Sequence, residues 1–93
     1  MKEWTFFSNY AHIYFLLALE ENLTVREISQ RVGITERSAL AIIHDLEEDK
    51  YINRTKAGRN NIYKIIPNKS LKHPLESKVR LKDIVELIKN ANS

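Results

Sequence analysis

Residues 24–52, TVREISQRVGITERSALAIIHDLEEDKYI, decide how the rest of the chain is read. Thr24 carries the side-chain oxygen of a helix N-cap, and Glu27 follows three positions later, the spacing of a capping box set before the apolar positions Ile28 and Val32. A helix over 24–32 follows, and Gly33 supplies the permissive backbone needed to leave it. Thr35 offers a second cap, opening a helix over 35–49 with Ala39, Ile42, Ile43 and Leu46 on one face. Two short helices around a glycine-containing turn make a helix-turn-helix. In proteins that use this motif for recognition, the second helix enters the major groove of DNA.

Downstream of the acidic run Glu47, Glu48, Asp49 the pattern changes period. Tyr51–Thr55 and Asn61–Ile66 are rich in aromatic and β-branched residues, and Lys56–Asn60 between them contains Gly58, so 51–66 is expected to be a β-hairpin. Helices followed by one basic hairpin form a winged helix-turn-helix. Pro67 closes the second strand, and 68–77 is a polar connection with a single turn at 74–77. Leu81, Ile84, Val85 and Ile88 then recur at i, i+3, i+4 and i+7, predicting an amphipathic helix over 78–90.

Upstream, Asn9 is a plausible N-cap for a first helix over 9–21, ended at Asn22. This helix is apolar on more than one side and needs cover on both. The aromatic positions Trp4, Phe7 and Tyr14, with Leu81, Ile84, Val85 and Ile88 of the last helix, are the candidates for a homodimer interface. The last helix can equally fold back onto the first. The expected architecture is therefore α+β: a single domain over 1–93 with three N-terminal helices, a two-stranded wing and a C-terminal amphipathic helix.

Composition narrows the function classes. Cysteine is absent, which excludes disulfides and cysteine-ligated zinc. The apolar run 13–19 is seven residues long, too short to span a bilayer, and no basic leader with a cleavage site is recognised, so a cytoplasmic location without membrane contact is expected. His12, His44 and His73 fall in three separate elements, and no nucleophile triad, HExxH motif or glycine-rich phosphate loop is present, so neither catalysis, a metal nor a cofactor is expected. Charge is polarised instead. Residues 1–49 hold four Lys/Arg against nine Asp/Glu, whereas 50–93 hold eleven against three. A basic face after a helix-turn-helix suits a polyanion, because Lys and Arg near phosphates release condensed counterions.

The DNA-contact candidates follow from the helical face opposite the core. Glu36, Arg37 and Ser38 lie in the first turn of the second motif helix, capped by Thr35, and Leu40, Ala41 and His44 continue the same face. Arg37 can bind a guanine edge through two hydrogen bonds or a phosphate through charge. Glu36 can accept from a cytosine amino group or favour the helix dipole. Thr24 and Arg26 begin the preceding helix and suit phosphate contacts. Arg54, Lys56, Arg59, Asn60 and Lys64 place cations and an amide on the wing, with Arg59 at its tip. Leu40 and Ala41 can meet thymine methyl groups, or can mark a protein-binding surface formed with the last helix.

Taken in order, Gly33–Arg37, Asp45–Glu48 with Tyr51-Ile52, Gly58-Arg59-Asn60 with Tyr63, and His73-Pro74-Leu75-Glu76 resemble the small winged-helix transcriptional regulators of the MarR type. The resemblance spans about Asn9 to Ile88. It implies a prokaryotic, cytoplasmic, commonly dimeric regulator that binds double-stranded DNA, with DNA contacts at Thr35, Glu36, Arg37, Arg59 and Asn60. Where such relatives carry polar or basic residues on the reading face, this chain has Leu40-Ala41.

Overall fold

The computed structural model describes residues 3–93, and the elements run α1 (Asn9–Leu19), α2 (Val25–Val32), α3 (Glu36–Glu48), β1 (Ile52–Ala57), β2 (Asn60–Ile65) and α4 (Leu81–Ala91). The order is that of a winged helix-turn-helix. Helix α1 is the centre: five consecutive residues, Ile13 to Leu17, are buried. At about 100° per residue, five in a row sweep more than one full turn, so no face of this segment is left for water. Cover comes from α2, α3, β2 and α4, all of which pack against α1.

Helix α1 is two residues shorter than expected and starts differently. Ser8, not Asn9, holds the N-cap position, without a side-chain cap, and Asn9 is the first helical residue. The helix ends at Leu19 because Glu20 turns extended and its carboxylate pairs with Arg31 of α2. Asn22 then takes a left-handed backbone (φ 65°) and delivers Leu23 to the core. This early exit lets α2 lie across α1.

Helix α2 begins with the capping box. The Glu27 N–H donates to Thr24 Oγ1 (3.1 Å), while Glu27 Oε1 accepts from both the Thr24 N–H (2.9 Å) and the Thr24 hydroxyl (3.0 Å). Gly33, at φ 87°, ends the helix, and the N–H groups of Gly33 and Ile34 both reach the Ser29 carbonyl. Thr35 Oγ1 accepts from the Ser38 N–H (3.0 Å) and opens α3, which buries Ala39, Ile43 and Leu46.

The far end of α3 is a Schellman closure: Tyr51 N–H reaches the Leu46 carbonyl (2.8 Å) and Lys50 N–H the Glu47 carbonyl (3.1 Å). The position that usually holds glycine is Lys50, at φ 67°. The turn places Ile52, 1% exposed, directly into the core, so strand β1 starts from a fixed point.

The hairpin is tighter than the five-residue loop expected. Ala57 pairs with Asn60, leaving only Gly58 and Arg59 as the turn. Gly58 has φ 66° and Arg59 is not in the left-handed region, the combination of a type II′ turn with glycine in its first central position. Pairing of Ile52 with Ile65, Arg54 with Tyr63 and Lys56 with Asn61 puts these six on one face of the wing.

Helix α4 starts three residues later than the apolar period suggests. Arg80 is held extended by a bridge to Ser70, so 78–80 cannot be helical. The first free amides of α4 are satisfied by the connection itself: Leu81 N–H donates to the Lys69 carbonyl (2.9 Å) and Lys82 N–H to the Pro67 carbonyl (2.8 Å). Leu81 and Val85 are buried, and Ile84 and Ile88 pack against the same core, so α4 folds back on α1.

A side chain in the left-handed region costs about 1–2 kcal/mol. Part of this is offset in a Lys50→Gly variant by the greater backbone entropy that glycine loses. Lys50→Gly is therefore expected to raise stability by up to about 1 kcal/mol in urea unfolding, and Lys50→Val to lower it. The reverse order would show that the closure is not strained at this residue.

Candidate nucleic-acid interface

Glu36, Arg37, Ser38, Leu40, Ala41 and His44 are all exposed along α3. Arg37 has no ion-pair partner among the described residues and projects from the first turn. Ser38 is partly committed: its hydroxyl accepts from Thr35 Oγ1 (2.9 Å). The opposite end of α3 is acidic, with Asp45, Glu47, Glu48 and the following Asp49. From Arg37 to Asp49 the helix rises roughly 18 Å. At physiological ionic strength, exposed charges beyond about 8 Å are largely screened, so a polyanion near the first turn does not feel the acidic end strongly.

Thr24 is already engaged within the chain. Its hydroxyl and N–H both engage Glu27, whose carboxylate sits at the start of α2 and is held below the usual carboxylate range by those two Thr24 bonds. A phosphate placed there would compete with a bound carboxylate. Arg26, two residues along in the first turn of α2, is exposed and keeps its guanidinium free of ion pairs among the described residues.

On the wing, Lys56, Arg59 and Asn60 are exposed, and neither cation is ion-paired among the described residues. Arg54 points back toward α3, where its Nε lies 3.2 Å from Glu47 Oε2, so its charge is shared with the domain. Lys64 pairs with Asn53 in the register and stands on the face opposite Arg54 and Lys56. A single strand of nucleic acid against one wing face therefore meets only part of this set. Exposed Asn53 and Thr55 share the Lys64 face and were missed from sequence. The two-residue alternation of β1 was the available signal.

The proposed dimer residues divide. Tyr14, Leu81 and Val85 are 3–6% exposed inside this protomer's own core, and Ile84 and Ile88 pack on it, so these five do not form a free face. The physical reason is the cover that α1 requires and α4 provides. Trp4 and Phe7 do remain outside, at 68% and 48% exposed. Phe7 packs edge-on against Phe15 with ring centroids 5.4 Å apart, and Trp4 packs edge-on against the exposed Phe6.

Tyr14 has a second commitment, its hydroxyl donating to the Ile66 carbonyl at 3.0 Å. No three His, Asp or Glu side chains converge as a metal site among the described residues, and no helix is long and apolar enough to cross a membrane.

With this geometry the comparisons agree. The family described as winged helix-turn-helix DNA-binding matches residues 12–53, from α1 into the start of β1. Among solved structures, a point mutant of ZitR from Lactococcus lactis aligns with a TM-score of 0.61 at 18% identity, over 99% of this chain and 54% of that one. Reduced HlyU from Vibrio cholerae aligns with a TM-score of 0.63 at 19% identity, over 91% of this chain and 77% of that one. The chain thus spans little more than half the ZitR length, and at these identities the likeness is one of fold. A comparison with curated protein sequences finds no match.

Burial, and secondarily the neighbouring Tyr51, pushes the Tyr14 hydroxyl up to about 12. The folded state therefore holds this proton more tightly than the unfolded chain does. Its contribution is complete below the ordinary tyrosine value of 10.0 and is lost as pH rises toward 12. Urea midpoints followed through that window should fall more steeply for the natural chain than for Tyr14→Phe; parallel declines would remove Tyr14 as the cause.

Proposed function

We propose that the chain is a double-stranded DNA-binding transcriptional regulator of the MarR type that acts in the cytoplasm as a homodimer. The observation that carries this reading is the combination of an exposed Arg37 in the first turn of α3, without an ion pair among the described residues, with exposed Lys56, Arg59 and Asn60 at the end of the wing. The first turn of α3 enters the major groove, where Arg37, Glu36 and Ser38 meet base edges or phosphates and Ala41 and His44 follow along the helix. The wing tip reaches the adjacent minor groove or backbone through Arg59 and Asn60. Arg26, Lys56 and Lys64 hold phosphates. Thr24 contributes by ordering the start of α2 rather than by direct contact.

A protein-binding role for α3 finds less support. Leu40 is 40% exposed and Ala41 is exposed beside it, but the exposed helical neighbours of Leu40 at one turn are Glu36, Arg37 and His44, so the apolar surface ends at this pair. The dimer draws on Trp4 and Phe7, which remain exposed after α4 has closed over α1.

Affinity for a duplex should fall linearly in a log–log salt titration, each lost phosphate contact removing about 0.9 from the slope. Lys56→Ala and Arg59→Ala should each flatten it by about 1, while Arg37→Ala should also reduce discrimination between duplexes. No duplex binding at low salt, or unchanged slopes in the wing variants, would overturn the reading. Sedimentation should give twice the 10.9 kDa chain mass at micromolar concentration, and Trp4→Ala with Phe7→Ala should return it to one. A natural chain that stays monomeric at every concentration removes the homodimer.

A further inference from the structure

A cavity of about 470 Å³ opens between α1, the last turn of α3, the connection before α4 and the start of α4, and none of the residues assigned to DNA lines it. Its size lies within the range of small-molecule sites, about 300–1,000 Å³. Six of the chain's eight aromatic residues line it: Phe6, Phe7, Tyr10, Tyr14, Phe15 and Tyr51. Core packing explains Tyr14 and Phe15, which are buried, but not Phe6, Phe7 and Tyr10, which are exposed.

The polar part of the wall has one sign in excess. Asp45, Asp49 and Glu76 line it together with Lys72 and His73, and Lys69 lies over the Tyr51 ring, so the carboxylates outnumber the lysines three to two. Lys72 pairs with Asp49 and also acts on Asp45 through space, while neither Asp45 nor Glu76 has an ion pair of its own among the described residues. Asp45 is fixed in place by the Tyr10 hydroxyl, which donates to Oδ2 at 2.5 Å. The aromatic wall already meets cations within the chain: Lys69 and Lys72 Nζ lie 5.4 and 5.9 Å from the Tyr51 ring centroid. Both features favour positive charge, the ring faces through their quadrupoles and the carboxylates through Coulomb attraction. An aromatic or aliphatic anion would gain the apolar contact and lose on both of the others.

We propose that this cavity binds an organic monocation with an aromatic or bulky apolar body, its charge set between Asp45 and Glu76. Consistent with a negative field there, the Tyr10 hydroxyl is pushed above its ordinary value, first by its hydrogen bond to Asp45. The site goes beyond the DNA reading and shares none of the residues assigned to nucleic acid; Phe7 alone is common to it and to the proposed dimer contact.

The test uses tetraphenylphosphonium as probe and 1-anilinonaphthalene-8-sulfonate as an aromatic anion of similar bulk, each titrated into the full chain by calorimetry and amide NMR without DNA. The phosphonium should bind at least tenfold tighter than the sulfonate and shift the amides of Tyr10, Asp45, Leu71 and Leu81. Glu76→Gln, on an exposed turn that folding does not need, should weaken phosphonium binding several-fold, and Asp45→Asn should do so at unchanged fold. The sulfonate binding as tightly as the phosphonium, no phosphonium binding at millimolar concentration, or phosphonium affinity in both variants unchanged from the natural chain would each overturn the proposal.

Discussion

Everything in this fold answers to the burial of α1 on all sides. Five adjacent apolar residues, Ile13 to Leu17, leave a helix that cannot rest at a surface, and α2, α3, β2 and α4 each supply one piece of its cover. Full burial of one such side chain is worth about 1.5–3 kcal/mol, so the short helices, each too brief to be stable alone, are held by this packing rather than by propensity. The geometry of the exposed face of α3 is a by-product: once Ala39, Ile43 and Leu46 are committed to α1, Arg37 and its first-turn neighbours have only one direction left.

What could be read from sequence was what is local. The caps at Thr24 and Thr35 and the exit at Gly33 depend on atoms a few residues apart, and each is found where the residue types place it. The start of α4 was not legible, since it is set by the Ser70–Arg80 bridge and by carbonyls from Pro67 and Lys69, partners that no helical period encodes. The wing turn was misjudged for a related reason. Lys56, Ala57 and Asn60 look like loop residues by composition, yet their register across the hairpin makes them strand.

The site shows the same division. Exposure of the α3 face followed from periodicity. The fate of individual charges did not: Arg54 is drawn onto Glu47, Lys64 lies on the other side of the wing from Lys56, and Thr24 is occupied by its own capping partner. The last was decipherable, because a Thr and Glu that form a capping box have already spent the donors a phosphate would need. The polarity of the chain, acidic before residue 50 and basic after it, resolves into an acidic end of α3 and a cationic wing that stand apart within one small body.

The contact between α1 and α4 has a topological consequence. It joins the two most distant elements of the chain, with some sixty residues between the end of one and the start of the other. Closing a loop of that length carries a length-dependent entropic cost of about 3.6 kcal/mol, whereas the neighbouring helices meet across turns of a few residues. The helix-turn-helix is thus assembled from inexpensive short-range contacts, and the clasp that seals its core is the one interaction for which the chain must find its own far end.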